Sequence, residues 1–396
     1  FQLTSRSILQ DGVLNADGRL QSGSSSVSVS GLTVALDVKI PSGFVISNAM
    51  TTSTDGTGAY SFSNIQDRLR PSVGADIPSG TYTLTARFTG TSQLRASTAN
   101  PQTVLVGRTA GYALIVQGRV AGGEGEAAHK KTADRVYDTL IARGFDTENI
   151  VYLGYGGDVL QNGTPSLSEI ESSMNTLGSR MASSPAPFYL VLVDHGTGGL
   201  FSVSASEQLT PDLLKRYVES LESAAQVSST SRDKERVLIL GYCYSGEFID
   251  DLAATGRVVV ASAASNEESY KGVLEEDGVR SGEYFLEELF NELGRERDLR
   301  SAFIEATIKT ERFTQRNQAA ETRPPFFDAA LQHPLLEDSA DDGVLGSNLL
   351  TEGFGDGILA STLFLGVEGD TNAVPLAFTS IAPTRYLAGV ASTLAT

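Results

Sequence analysis

Cysteine is nearly absent: Cys243 is the single one in 396 residues, which excludes any intrachain disulfide and leaves disulfide density unable to indicate a compartment. Basic residues are scarce, 30 Lys and Arg against 48 Asp and Glu, giving a formal net charge of −18. No basic stripe exists to neutralise phosphates, so a nucleic-acid partner is excluded. No run of eighteen or more apolar residues occurs, so no membrane-spanning helix is expected. Zinc, P-loop and twelve-residue EF-hand spacings are missing as well. No cofactor or metal is therefore expected, save that the acidic turn Glu337-Asp338-Ser339-Ala340-Asp341-Asp342-Gly343 gathers oxygen ligands that would suit calcium. Of the three histidines, His129 and His333 lack partners at metal-binding spacing and read as surface or structural residues.

What is present is an ordinary globular composition, 40% apolar, in a chain long enough for two or three domains. The chain opens at Phe1 with neither Met nor a charged, then apolar, leader, as a processed chain would. Its Ser/Thr/Gly-rich, Lys-poor opening suggests an exported bacterial protein, secreted or held at the cell surface.

Two patterns divide the chain. Over residues 1–107 short alternating runs are separated by turn formers such as Asp55-Gly56 and Thr89-Gly90. Val34, Leu36, Val38 and Ile40 alternate with Ala35, Asp37 and Lys39, the period of a strand with one buried face. This predicts an all-β sandwich. Over residues 108–345 continuous apolar runs (Tyr112–Gln117, Ile150–Gly154, Phe188–Val193, Val237–Gly241, Val258–Ser262) alternate with amphipathic helices, one carrying Leu167, Ile170, Met174, Leu177 and Met181. That alternation predicts an α/β domain with a mainly parallel sheet. Further helices are expected at Pro211–Leu221, Gly246–Ala254, Gly282–Leu293 and Leu299–Arg312. Residues 346–396 form a Gly/Thr/Ala-rich segment with short apolar stretches, expected to be β-rich.

Two strands end in chemically marked sequences. Phe188–Val193 runs into Asp194-His195-Gly196, and Val237–Leu240 into Gly241-Tyr242-Cys243-Tyr244-Ser245-Gly246. Carboxyl ends of parallel strands line the ligand crevice of an open sheet, so His195 and Cys243 converge if the strands are neighbours. A thiolate at the start of a helix over Gly246–Ala254 would gain from the helix dipole. Gly196 would let a bare N–H approach a developing oxyanion, with the Cys243 N–H as second donor. Asp194 fits structural hydrogen bonding at the strand end. The spacing, 243 − 195 = 48, falls near the roughly 50 residues known between caspase His and Cys.

On these blocks, together with the Ala127–Arg143 helix and Ala261-Ser262-Ala263-Ala264-Ser265-Asn266-Glu267-Glu268-Ser269-Tyr270, the domain resembles the caspase-like fold of cysteine peptidases, most closely the legumain-type branch and its bacterial relatives. The sandwich resembles bacterial immunoglobulin-like and prealbumin-like modules through Asp55-Gly-Thr-Gly-Ala-Tyr-Ser-Phe and Gly80-Thr-Tyr-Thr-Leu-Thr-Ala. The first resemblance implies a Cys243–His195 dyad hydrolysing protein or peptide substrates through an acyl-thioester, and a segment Ser262, Ala263, Ala264 and Ser265 that lines the cleft and pairs with the substrate backbone. Legumain-type pockets hold a basic residue and acids. Lys130 matches the basic position, Glu283 the later acid, and Gly241 stands where the other acid would be. Glu283 alone would favour Arg or Lys, and both charges together an amide or acidic side chain. Transpeptidation by the same fold, or a surface adhesion or scaffold role without catalysis, are the alternatives.

Overall fold

This computed structural model describes the chain apart from residues 1, 4–6, 10–12, 23–27, 74–76, 78–79, 108, 158, 230, 232–233, 316–325, 327, 339–345 and 367–396. The N-terminal region is a β-sandwich. Its small sheet holds β1 (Ala16–Arg19) and its larger sheet runs through β2 (Thr33–Lys39) and β3 (Val45–Ser53), while β4 (Ala59–Phe62) returns to pair with β1. The strands β5 (Gly80–Phe88) and β6 (Gln102–Gly107) extend the larger sheet beyond β2. The period-two reading holds: Val34, Leu36 and Val38 are buried with Tyr60, Phe62, Tyr82 and Leu84, whereas Asp37 takes Arg87 across the strands at 3.1 Å. One helix interrupts the all-β expectation, α1 (Ile65–Val73), which buries Ile65 and Leu69, four residues apart, under the sandwich.

The second region centres on a six-stranded sheet. In spatial order it contains Ile150–Leu153, Tyr112–Gln117, Phe188–Val193, Arg236–Gly241, Arg257–Ala261 and Leu335–Glu337, which in chain order are β8, β7, β9, β10, β11 and β12. The first five are parallel and β12 is antiparallel to β11. Every residue of β7, β9, β10 and β11 is buried, as continuous apolar runs require when both faces are covered. Ile115, Val191, Ile239 and Val260 face α2 (Glu126–Ala142) and two later helices, while Leu114, Leu190, Leu238 and Val259 face α3 (Leu167–Ser183) and α4 (Pro211–Ala224). Those later helices, α5 (Tyr284–Gly294) and α6 (Leu299–Thr314), contribute Phe285, Leu289 and Phe303 to the first layer.

The structure departs from the expected helix over Gly246–Ala254. Ser245–Phe248 is a single 3-10 turn followed by a four-residue turn of helix at Ile249–Leu252. The Gly246 N–H donates to the Ala263 carbonyl at 2.9 Å instead of waiting at a helix end. Of the C-terminal segment, residues 346–366 hold isolated bridges and a 3-10 turn at Ala360–Thr362, with Ala360, Leu363 and Leu365 buried in the layer beside α6. The rest of the expected β-rich segment lies outside the described residues.

Candidate active site

Register builds the site. Gln117 pairs with Val193 across β7 and β9, and Val193 with Gly241 across β9 and β10, so the three strands end level. Two residues past those ends stand Arg119, His195 and Cys243. The contact between the last two loops is close: a Cβ on Gly196 would lie 2.3 Å from the Cys243 carbonyl oxygen and 2.5 Å from the Tyr242 ring, so only glycine admits it.

His195 is half-buried. Its backbone N–H donates to the Asp194 carboxylate at 2.5 Å, and its Nε2 lies 3.2 Å from the Glu124 carbonyl oxygen. A carbonyl can only accept, so Nε2 carries the proton and the lone pair belongs to Nδ1. Cys243 is also half-buried. The Ser269 N–H donates to its Sγ at 3.3 Å, and the Ser269 hydroxyl oxygen lies 3.7 Å from the same sulfur. Among the described residues no hydrogen bond joins His195 to Cys243. The expected dipole activation of the thiol is corrected here. Burial pushes the thiol up, more than the Ser269 hydrogen bonds pull it down, and the carboxylates of Glu268 and Glu283 push it the same way. The short turns after Cys243 carry too little dipole to reverse this.

Ser262, Ala263 and Ala264 are buried and Ser265 is exposed. The Ser262 N–H donates to Leu240 and its carbonyl accepts from Gln332, while Ala263 is bonded to Ser245 and Gly246. The expected substrate pairing along this whole segment is thus corrected: the backbones of Ser262 and Ala263 are already engaged inside the protein. The Lys130 ammonium pairs with Asp134 at 2.6 Å, one turn along α2. At the strand edge stands Arg119, whose guanidinium pairs with Glu126 at 3.0 Å and lies 5.2 Å from the centroid of the Tyr155 ring. Its signal was available in the sequence as the second residue after a predicted strand.

Glu283 is 1% exposed. It caps α5 by accepting from the Leu286 N–H at 2.6 Å and accepts from Gln332 at 3.0 Å, yet desolvation dominates and pushes its carboxyl up to about 7. Gly241 has no room for the acid: a Cβ there would meet the Leu286 side chain at 2.5 Å. Glu337 accepts from the Gly346 N–H, and Asp338 accepts from Gly357 and Ala360, so the described part of the acidic turn has its carboxylates on backbone N–H groups. The remainder of that proposed calcium turn, 339–343, lies outside the described residues.

His129 and His333 are both buried, contrary to a surface reading. His333 is structural: its two nitrogens lie 2.7 and 3.0 Å from Glu267 and Asp328, and its ring stacks on Phe326. His129 lies beside the site. Its ring meets that of His195 edge-on at 4.9 Å, and its Nδ1 is 3.5 Å from Asp194. One donor atom each from His129, Asp194 and His195 fall within 4.8 Å of one another, a group that could hold a metal ion.

Residues 181–333 match the family model of the Peptidase C13 family. His195, Cys243 and Glu283 fall inside the matched span, and Arg119, His129 and Lys130 precede it. The chain thus pairs an N-terminal β-sandwich with an α/β caspase-like domain similar to cysteine peptidases of that family. No curated protein matches the chain. A crystal structure of caspase-1 from Spodoptera frugiperda is similar over 58% of this chain and 88% of that chain, at 13% identity and a TM-score of 0.41.

Proposed function

We propose that the α/β domain is a cysteine endopeptidase in which Cys243 is the nucleophile and His195 the acid/base. The observation that carries this is the level ending of β9 and β10, which brings His195 and Cys243 to equivalent positions at the carboxyl edge of adjacent parallel strands. The Peptidase C13 match supports the same chemistry. Because burial keeps the thiol protonated, attack on a peptide carbonyl requires a base at the moment of bonding. His195 Nδ1 is the base, held in that tautomer by the Glu124 carbonyl on Nε2. The sulfur–carbon bond forms as the thiol proton passes to the imidazole. The oxyanion is met by the N–H groups of Gly196 and Cys243. The imidazolium then returns the proton to the departing amine, and water releases the acyl group from sulfur.

Substrates on this reading are proteins or peptides. Lys130, paired with Asp134 at 2.6 Å, and the buried Glu283 are the candidate recognition charges. Composition supports a secreted or cell-surface setting. Hydrolysis of a diverse peptide library tests the assignment: Cys243→Ala and His195→Ala should each lose at least about 100-fold in kcat/KM. Undiminished cleavage by either variant rejects the dyad.

A further inference from the structure

Beneath the half-buried imidazole of His195 lie two polar atoms with no hydrogen-bond partner among the described residues, His129 Nδ1 and Asp194 Oδ2. Their side chains are 4% and 1% exposed. The two atoms are 3.5 Å apart, within ion-pair range but misaligned for a hydrogen bond. Buried polar groups left unsatisfied are destabilising, so the arrangement asks for an occupant between them. We propose that His129, Asp194 and His195 form a site for one divalent transition-metal ion of the zinc class, and that its binding halts the hydrolysis proposed above, on which this second half rests.

The donors fit that class of ion. Imidazole and carboxylate together suit zinc and its neighbours, whereas calcium takes six to eight oxygens. Bonds of about 2.1 Å in a tetrahedron put ligand atoms roughly 3.4 Å apart, which the His129–Asp194 pair already meets at 3.5 Å. The full set spans up to 4.8 Å and closes by a modest turn of His195, the least buried of the three. Outer contacts also match what metal-bound groups use. Asp194 gives its other oxygen to the His195 N–H, and His195 gives Nε2–H to the Glu124 carbonyl, leaving Nδ1 as the donor. That lone pair is the one the base needs. A metal ion on it removes the proton acceptor without touching Cys243, and three protein ligands leave a fourth position for water.

The test uses the full chain freed of metal with a chelator, titrated with zinc against a colorimetric chelator, and followed in parallel by thermal unfolding. The wild type should take up one ion and unfold at higher temperature with it, and Cys243→Ala should bind equally well. His129→Ala and His195→Ala should each bind more than about 100-fold more weakly, since loss even of an outer partner costs roughly 10–100-fold. His195 is half-buried, so its variant remains informative if the His129 variant does not fold. Loss of binding in Cys243→Ala, or full binding in both histidine variants, overturns the site. Peptide hydrolysis by the wild type should fall with the same half-saturation as zinc uptake and return with chelator. Hydrolysis unchanged at saturating zinc overturns the inhibition, whereas zinc uptake through these residues by a protein that cleaves no peptide keeps the site and removes the peptidase reading.

Discussion

At the scale of single residues, Cys243 and His195 stood out as candidates because each follows an apolar strand, His195 directly before Gly196 and Cys243 between Gly241 and Gly246. The role of His129 was not legible: nothing in its spacing foretells that α2 will set its ring against His195. Lys130 and Asp134 stand at i and i+4 on α2, so their ion pair was readable from helical spacing. Glu283 makes a pH prediction. Its carboxyl is raised from an ordinary 4.5 to about 7, chiefly by desolvation. Its contribution to stability is therefore complete below about pH 4.5 and is lost as pH rises through about 7, where the folded chain must ionise it out of water. The loss is on the order of 3 kcal/mol. Glu283→Gln keeps an acceptor for Leu286 and should flatten the fall in melting temperature between pH 4.5 and 7; an unchanged slope would assign that pH dependence to other groups. Gly241→Ala puts a methyl into the Leu286 side chain and should lower stability by about 1–3 kcal/mol in denaturant titration.

At the scale of elements, the strands were readable from apolar continuity and α3 from its three- and four-residue spacing. The turn after Cys243 was not, because Gly246 bonds to the Ala263 carbonyl, a contact between distant parts of the chain that no local pattern carries. In the sandwich, α1 escaped notice since its nine residues include Pro71 and bury few apolar side chains. The starts of β10 and β11 are tied to α4 by Glu222, which bonds Arg236 and Arg257, each at 2.7 Å, with both guanidinium groups 4% exposed. Glu222→Ala leaves two buried cations uncompensated and should cost about 3–5 kcal/mol, read as a lower urea midpoint. A loss under about 1 kcal/mol would mean that water reaches both guanidinium groups. Because β10 leads to Cys243 at its opposite end, the same variant should lower peptide cleavage through loss of folded protein alone, with activity per folded molecule unchanged.

At the scale of the molecule, the division into a β-sandwich and an α/β domain follows from a change of hydrophobic period from two to alternating strand and helix, visible near residue 107. Adjacency of the loops that carry His195 and Cys243 could be foreseen only if their strands were neighbours, and that depends on sheet order, which βαβ alternation leaves open. The register of Val193 with Gly241 supplies it. On the proposed dyad, the half-buried, protonated thiol of Cys243 reacts because the imidazole at 195 takes its proton. The most direct measurement is the rate at which a peptidyl electrophile modifies Cys243 at neutral pH, followed by intact-mass spectrometry in the wild type and in His195→Ala. The account predicts a fall of at least about 100-fold in the variant. Equal rates in the two proteins would contradict it.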